Sequence, residues 1–510
     1  MDKKRSLLNI VISILGKFII LIFMLATRRL IISCLGNEIN GINSLYASVI
    51  GFLAVTDLGV GSAITFSMYK PIVEKNMEKT AALYQLYRKI YFIIGCIIGI
   101  LGVCLIPFLP VLCKDYAKLD INFGGTFLLQ LLSVLGTYFY SAKTSLINAY
   151  KNNYITSSCH VIGICVQSII QIVVLIKFQS FELYLVANIV GTLTQWIITS
   201  FIVRKRYKSI ITYEKTSIDS KTAKQIIKNI KAMFMHKIGT VLVNSTDSII
   251  ISSFIGVGIL GKYSNYTTLV SAMMSVIVLF FSSLTSVVGH MFVKYDKEEI
   301  ESWFKFFYYG NYFLGIVFFL GFYSIVNNAI VILFGKNLIM DRIVVATITV
   351  NYFVQFMRQA ALLFRDASGT FYYDRWKPII EGICNLVLSL IFVYVFDDKY
   401  KIVGVLVATI ITNIVICHWI EPHVIYKYAF NISEKKFLIE NYTFLGSFLI
   451  MLVILDKVMI TINNVWISLI VNGCISLGIS IIAVLGVIFF KKEIRVKVKR
   501  LIQKRRGWSR

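Results

Sequence analysis

Charged residues are scarce in this sequence of 510 residues, since 15% are charged and 57% are hydrophobic, with a mean hydropathy of +0.76. A soluble globular domain usually contains about 25% charged residues, so this composition excludes a soluble protein. Apolar runs of roughly 20 residues, each long enough to cross a hydrocarbon core about 30 Å thick, recur along the whole sequence. The sequence therefore predicts an integral membrane protein with no separate soluble domain.

Several patterns that mark catalytic or metal-binding proteins are also missing. The nine cysteines include no C-x-x-C pair and fall mainly in apolar runs, which favours buried thiols over a disulfide or metal framework. The five histidines show no metal-ligand spacing. No G-x4-G-K-[S/T] sequence is present, so we expect no bound ATP. We therefore expect that the chain holds neither a metal nor a cofactor.

The apolar runs between polar breaks predict fourteen transmembrane helices. They lie near 7–35, 42–66, 89–112, 122–147, 155–176, 182–203, 237–259, 265–290, 306–334, 343–364, 378–396, 401–420, 437–455 and 464–490. The first run is too long for the core of a signal peptide, so we expect it to be retained as a helix. An even number of helices puts both termini on the same side of the membrane.

The distribution of lysine and arginine predicts the orientation. With the N-terminus inside, the inward segments hold 37 of the 52 basic residues and the outward loops hold nine. Positively charged loops are retained in the cytoplasm, so we expect both termini to be cytoplasmic. The formal charge of +26 is then a topology signal and an attraction to anionic membrane lipids, and we expect no nucleic-acid partner.

An internal repeat indicates how the helices are organised. The segments 36–46 and 256–266 read "GNEINGINSLY" and "GVGILGKYSNY", which share G-x4-G-x4-Y at an offset of 220 residues. The short matches "GIC", "YK" and "LVA" recur in the same order at offsets of 219 to 221 residues. Helices one to six and seven to twelve are thus predicted to be two copies of one bundle, as in transporters that alternate between two open states.

The repeat gives a predicted division of the chain. We expect a first six-helix lobe over 1–203, a basic cytoplasmic linker over 204–236, and a second six-helix lobe over 237–430. Residues 431–510 would form two additional transmembrane helices and a basic cytoplasmic tail. The linker can be read as an interfacial helix on the inner leaflet or as a solvated basic segment.

Basic residues inside the predicted helices are the first candidates for a site, because a charge at mid-membrane costs on the order of 3 kcal/mol and usually marks a pathway. Lys17 and Arg28 are 11 residues apart, which places them within roughly 20° of one helix face and about 16 Å apart along it. Such a cationic face suits a phosphate or pyrophosphate. The alternative is that Arg28, like Arg29, extends to the outer headgroups. Arg358 is the candidate cation of the second lobe, and we expect Arg365 at the membrane interface.

Acidic residues complete the set of candidates. Asp57 lies in the second predicted helix, while Asp247 and Asn244 share a polar face of the seventh. By the repeat, Asp247 corresponds to Thr27, beside Arg28. The two aspartates either pair with cations or bind the proton or sodium ion that drives transport. Glu381 begins the eleventh predicted helix, where it suits the helix dipole.

Two segments carry a resemblance to a known family. They are "TRRLIISCLGNEINGINSLYASVIGFLAVTDLGVGSA" and "NSTDSIIISSFIGVGILGKYSNY". With the 6+6+2 helix plan, the chain resembles the Wzx-like polysaccharide flippases of the multidrug/oligosaccharidyl-lipid/polysaccharide (MOP) exporter superfamily, which includes the MATE drug exporters and the lipid II flippases. The resemblance implies an all-α, V-shaped, MATE-like transporter with a cationic cavity between two lobes.

The resemblance also implies a function. The substrate would be an undecaprenyl-pyrophosphate-linked oligosaccharide carried from the inner to the outer leaflet of the bacterial cytoplasmic membrane, for capsule, O-antigen or exopolysaccharide synthesis. A polysaccharide polymerase and glycosyltransferases are the protein partners it suggests. Two alternatives stay open: a cation-coupled exporter of drugs or small solutes, and a membrane polysaccharide polymerase or ligase. The cations inside the helices argue against the first alternative, and the short outward loops argue against the second.

Overall fold

The computed structural model describes residues 2–54, 60–213, 241 and 245–491. Within these ranges the chain forms helices joined by short turns, and it contains no β-strand. Polar caps set several of the helix starts. The side chains of Asn76, Asn122 and Asp296 each accept the backbone N–H three residues later, at 2.8 to 2.9 Å. Such caps satisfy backbone donors that have no partner within the helix.

Two compact units divide the chain at Gly261 and Lys262. The helices of the first unit are α1 Asp2–Leu35, α2 Asn37–Leu53, α3 Val60–Val73, α4 Met77–Leu105, α5 Phe123–Ala149, α6 Asn153–Lys177, α7 Phe181–Arg206 and α8 Ser245–Ile255. Helix α1 packs along α6, α6 along α7, α7 along α5, and α5 along α4. The long helices of this unit therefore form one continuous bundle.

A helix that begins in the first unit, α9 Val257–Lys294, continues into the second. The other helices of the second unit are α10 Lys297–Phe334, α11 Arg342–Met357, α12 Gln359–Ser368, α13 Lys377–Val395, α14 Lys401–Phe430, α15 Lys435–Val458 and α16 Val465–Phe490. Helix α10 packs against α11, α15 and α16, while α14 packs against α11 and α13. Stacked rings fill the space around α10, such as Tyr312 on Phe444 with centroids 4.1 Å apart.

Eleven helices in the described ranges are long and apolar enough to cross a membrane, so the chain is a multi-pass membrane protein. The predicted runs at 42–66, 237–259 and 343–364 are not among the eleven. The first two extend over residues outside the described ranges, and the third is divided at Arg358 into α11 and α12. The all-helical fold is confirmed, while the count of fourteen stays a prediction.

The predicted domain boundaries also stay predictions. The compact units place α8 with the first unit, whereas the repeat assigns it to the second lobe. Helix α7 ends at Arg206, and a short helix, Lys208–Ile211, follows. Most of the predicted linker, residues 214–236, lies outside the described residues, as does the tail from residue 492.

The G-x4-G-x4-Y repeat has the same structural role in both copies. Gly36 and Gly256 precede α2 and α9 with φ values of 96° and 136°, a region that favours glycine. Gly41 and Gly261 lie where the two copies meet, since an added Cβ at Gly41 would be 2.0 Å from the Val257 carbonyl oxygen. The equivalent geometry explains why the sequence keeps glycine at these four positions.

Asparagines and tyrosines complete the repeated motif. Asn37 and Asn40 donate to the carbonyl oxygens of Gly258 and Gly261, at 2.6 and 3.2 Å. Tyr46 donates to the Phe123 carbonyl oxygen at 3.1 Å, and is thereby anchored to the start of α5. In the second unit, the Tyr266 hydroxyl donates to Asn327 at 2.6 Å and accepts from the Met340 amide at 2.9 Å. Each tyrosine thus fastens its helix to the beginning of another segment.

All nine cysteines are free. Cys113, Cys159 and Cys417 are buried, as expected, but Cys96, Cys104 and Cys474 are exposed on helix surfaces. The prediction of buried thiols is wrong for these three, because an apolar run in a membrane protein has a face that packs against lipid rather than protein.

Candidate functional site

Helix α1 carries the predicted cationic face. Lys17 is exposed and Arg28 is partly exposed. Gly16 allows α1 to lie close to α6, because an added Cβ there would be 2.7 Å from a Val161 methyl group. Arg28 lies near Tyr184 of α7, which is buried. Helix α1 therefore presents two accessible cations on the bundle that α6 and α7 form.

Four uncharged side chains in the same bundle form what we call the amide cluster: Gln130, Gln167, Gln171 and Asn188. The Asn188 oxygen accepts from Gln167 at 2.8 Å and from Gln171 at 2.7 Å, while its nitrogen donates to Gln130 at 2.8 Å. Gln171 and Asn188 are buried, whereas Gln130 and Gln167 are partly exposed. The amide cluster is thus a hydrogen-bonded layer with an accessible edge.

Tyr184 lies next to the amide cluster. The Gln171 side chain donates to the Tyr184 carbonyl oxygen at 3.5 Å. Close packing of α6 on α7 makes this possible, since an added Cβ at Gly191 would be 2.6 Å from the Gln167 side chain. Small residues at a helix crossing allow this approach in membranes. The first unit therefore holds a cationic residue and neutral donors and acceptors in one packed bundle.

A second set of hydrogen-bonded polar side chains lies further along the same helices. The Tyr140 hydroxyl donates to Gln195 at 2.9 Å, and the exposed His160 ring lies 3.4 Å from the same glutamine oxygen. Lys143 donates to the Ser200 hydroxyl at 2.6 Å. Sequence reasoning gave none of these contacts. Polar side chains thus recur along α5, α6 and α7.

The second unit contains a different arrangement around Arg358, which lies between α11 and α12. Its guanidinium donates to Glu421 at 2.7 Å, to Asn413 at 2.6 Å and to Glu381 at 3.2 Å. Lys377 bonds Glu421 and lies 3.7 Å from Glu381. We call these five residues the ion cluster.

The ion cluster is buried and balanced in charge. The side chains of Arg358 and Lys377 are 14% and 3% exposed, and those of Glu381 and Glu421 are 8% and 1% exposed. The charges of the two cations and the two carboxylates sum to zero. The hydrogen-bonded ion pairs compensate for the free energy lost when each charge is removed from water. A π-helical turn, Asn413–Cys417, places Asn413 in the cluster. Such turns are frequent at functional sites.

The geometry bears on the predicted roles of these residues. Binding a substrate anion at Arg358 would require separating its guanidinium from two carboxylates, so its substrate-binding role stays a prediction. Glu381 was expected to act through the helix dipole, and it also forms ion pairs with Arg358 and Lys377. Arg365, expected at the membrane interface, is 8% exposed and donates to Asp374 at 2.7 Å, because a short turn brings that carboxylate back to it, and its depth in the membrane stays a prediction.

The predicted acidic candidates are described only in part. Asp247 is 7% exposed on α8, and its repeat counterpart Thr27 on α1 is 5% exposed. Asp57 and Asn244 lie outside the described residues. In the described part of the chain, no group of three His, Cys, Asp or Glu side chains has the arrangement of metal ligands.

The fold is similar to that of solved transporters. A lipid II flippase, MurJ, in an inward closed conformation matches with a TM-score of 0.65 and 16% identity, covering 94% of this chain and 99% of that chain. An inward-facing multidrug resistance transporter of the MATE family and MOP superfamily matches with a TM-score of 0.59 and 13% identity, covering 82% and 98%. A Vibrio cholerae MATE transporter matches at 0.55 and 14% identity, covering 83% and 96%.

No protein-family model matches the sequence, and no curated protein sequence matches it significantly. At identities of 13 to 16%, the similarity shows the fold. The predicted fold class is therefore confirmed as that of MurJ and the MATE transporters. The polysaccharide branch of the superfamily stays a prediction.

Proposed function

We propose that the chain carries an undecaprenyl-pyrophosphate-linked oligosaccharide across the bacterial cytoplasmic membrane by alternating access, for surface polysaccharide synthesis. The observation that carries the proposal is that one packed bundle holds the cation Arg28, near Tyr184, together with the hydrogen-bonded amide cluster. The transporter fold supports it as well, since one similar structure is a lipid II flippase. Under this proposal the chain is a transporter, not an enzyme.

The side chains of the first unit suit both the pyrophosphate and the oligosaccharide of such a substrate. An arginine fork bonds two phosphate oxygens at once, and Lys17 adds a second positive charge on α1. Side-chain amides both donate and accept hydrogen bonds, as a substrate rich in hydroxyl groups requires. Polar groups that lose water without new partners cost several kcal/mol in hydrocarbon, and these side chains would supply the partners.

The second candidate function is cation-coupled export of drugs or small solutes, which the similarity to a multidrug resistance transporter favours. A site for cationic drugs needs acidic side chains. Helices α1, α5, α6 and α7 carry Lys17, Arg28, Arg29 and Lys143 within their apolar stretches. Their two acidic residues, Asp2 and Glu182, lie in the first turns of α1 and α7. The first candidate therefore fits the described helices better.

Transport against a gradient needs a source of energy, and we propose a proton or sodium gradient. Asp247 is the described candidate, with Asp57 and Asn244 as the other two. A buried carboxylate changes its charge when it binds a proton or a sodium ion, which is the property that coupling requires. Glycosyltransferase partners would supply the lipid-linked substrate, and a polymerase partner would consume it.

Arginine substitutions in α1 test the proposed function. We expect Arg28→Ala to abolish polysaccharide export and to make the lipid-linked oligosaccharide accumulate on the cytoplasmic face, because the pyrophosphate loses its bidentate partner. Export is measured in cells that depend on this protein, with the amount of protein in the membrane quantified in parallel.

The neighbouring arginine provides the matched control. Arg29→Ala removes the same chemical group one residue away, on a side chain rotated by about 100°, and it should leave export near normal. Arg28→Lys should retain part of the export, since it keeps the charge without the fork. Near-normal export by Arg28→Ala, or an equal loss in both alanine variants, would contradict the proposed role of Arg28.

A further inference from the structure

A groove of about 840 Å³ runs along the surface of α4 and α5 in the first unit. Its lining is mainly apolar and aromatic, and two basic residues, Arg88 and Lys89, stand at one end. The volume lies within the range of about 300 to 1,000 Å³ that is usual for small-molecule sites. The groove contains none of the residues assigned above to the proposed transport site.

The walls of the groove consist of large side chains that project from two closely packed helices. Gly99 lets α5 approach α4 closely, since an added Cβ would lie 3.3 Å from Leu135. Exposed rings and aliphatic groups then form the sides, including Phe92, Ile100 and Phe139, which are 61%, 65% and 63% exposed. The result is an apolar groove that is open to the surface of the unit.

The charge at the end of the groove is strongly positive. Arg88 and Lys89 are both exposed. Lys143 of α5 lies close enough to Arg88 and to Arg204 of α7 to be repelled electrostatically by both. Two basic residues of the lining thus stand at this end with Lys143 nearby, and the residues that line the groove include no acidic group. Such a cluster attracts an anion.

The length of the groove matches one leaflet of a membrane. Twelve residues of α4 separate Arg88 from Ile100, which is about 18 Å along the helix. Half of a hydrocarbon core is about 15 Å thick. An undecaprenyl chain is far longer than this. An acyl chain that starts from a headgroup at Arg88 would instead end near the bilayer midplane, beside Ile100.

We propose that this groove binds an anionic diacyl phospholipid, with its phosphate between Arg88 and Lys89 and an acyl chain against Phe92, Ile100 and Phe139. The arginine fork and the lysine ammonium bond the phosphate oxygens, and the apolar walls replace contacts between acyl chains. The leaflet is the inner one in the orientation that the basic loops predict. The site is independent of the proposed transport function, because it depends on the membrane location alone.

Photocrosslinking in lipid nanodiscs tests the proposal. The probe is a phosphatidylglycerol with a diazirine on its acyl chain, and the adducts are located by peptide mass spectrometry. We expect adducts on 88–100 and 135–139 that unlabelled phosphatidylglycerol displaces and phosphatidylcholine does not. The double variant Arg88→Gln/Lys89→Gln should lose about tenfold or more of these adducts, since each basic residue near an anionic surface contributes appreciably to binding.

Two further variants separate a headgroup site from general coverage by lipid. Lys75→Gln/Lys79→Gln removes two exposed lysines outside the groove and should leave the adducts unchanged. Cys96→Trp fills the groove while keeping both cations, and it should reduce the adducts. Equal displacement by phosphatidylcholine, or full labelling of Arg88→Gln/Lys89→Gln, would overturn the proposal. Displacement by undecaprenyl phosphate but not by phosphatidylglycerol would overturn the choice of a phospholipid.

Discussion

Single charged side chains in this protein are held in two different ways. In the second unit, Arg358 is enclosed by carboxylates that offset its charge. In the first unit, Arg28 lies beside Tyr184 and the neutral amide cluster. Breaking a balanced buried pair leaves an uncompensated charge, whereas removing both partners does not. The ion cluster should therefore respond to paired substitutions in a way that identifies it as structural.

The ion cluster gives a prediction about stability. Glu421→Gln leaves two cations facing Glu381, and Arg358→Met leaves two carboxylates facing Lys377. Each single variant should lower the free energy of unfolding by about 3 to 5 kcal/mol. The double variant retains the neutral Lys377–Glu381 pair, so its loss should be clearly smaller than the sum of the two single losses. Thermal unfolding of the purified protein in detergent measures all three.

An exposed pair of the same type provides the control. Arg342 lies 3.5 Å from Asp456, and the two side chains are 55% and 41% exposed. Arg342→Met should therefore change the free energy of unfolding by about 1 kcal/mol or less. Additive losses in the Arg358→Met/Glu421→Gln variant would show that the two residues do not act as a pair.

The candidate residues could be predicted from sequence only where they carry charge inside an apolar run. Arg28, Lys17 and Arg358 meet that condition. Glu421 does not, because it precedes Pro422 and follows a predicted helix end at residue 420, although α14 continues to Phe430. The amide cluster was missed because uncharged polar residues are less conspicuous. Its one sequence signal is the four-residue spacing of Gln167 and Gln171, which places them on the same helix face.

Among the helices, the contact between the two copies of the glycine motif has a clear physical cause. Any side chain at Gly41 would overlap the backbone of the other copy, whose carbonyl oxygen cannot move aside as a flexible side chain can. Gly41→Ala should therefore lower the free energy of unfolding by about 1 to 3 kcal/mol, the usual range for overpacking. Thermal unfolding in detergent measures the change.

A second helical glycine serves as the matched control. Gly310 lies within α10, and an added Cβ there would meet nothing within 4 Å. Gly310→Ala should be neutral or stabilise the protein by about 0.5 to 1 kcal/mol, because alanine loses less backbone freedom on folding. If Gly41→Ala behaved like Gly310→Ala, the close approach at Gly41 would not be needed for stability.

Helix existence was predictable and helix ends were not. Long apolar runs fix where a helix must be, because backbone groups in hydrocarbon need internal partners. The ends depend on polar turns that the runs do not contain. Helix α10 begins nine residues before its predicted start, at the cap that Asp296 forms, and carries Glu298 and Glu299 in its first turn. Charged residues beyond the hydrocarbon region extend the helix into water.

At the scale of the whole molecule, the repeat accounts for the fold but not for the chemistry. Both copies keep the glycine and tyrosine contacts, whereas the polar interiors of the two units differ. The first unit has cations with neutral amides, and the second has the balanced ion cluster. A sequence repeat reflects packing that both copies share, because that packing requires the same small residues at the same spacing. Functional side chains differ between copies, so the repeat could not predict them.

The proposed coupling of transport to an ion gradient gives the last prediction. If Asp247 binds the coupling ion, Asp247→Asn should slow transport of the lipid-linked substrate in proteoliposomes and make the remaining rate insensitive to collapsing the proton or sodium gradient. Asparagine has nearly the same shape but cannot change charge, so the loss would report ion binding rather than packing. Asp120→Asn, at an exposed position, should keep both the rate and the gradient response. A variant at Asp247 that slows transport yet still responds to the gradient would show that this buried carboxylate is a charge partner and that the coupling ion binds elsewhere.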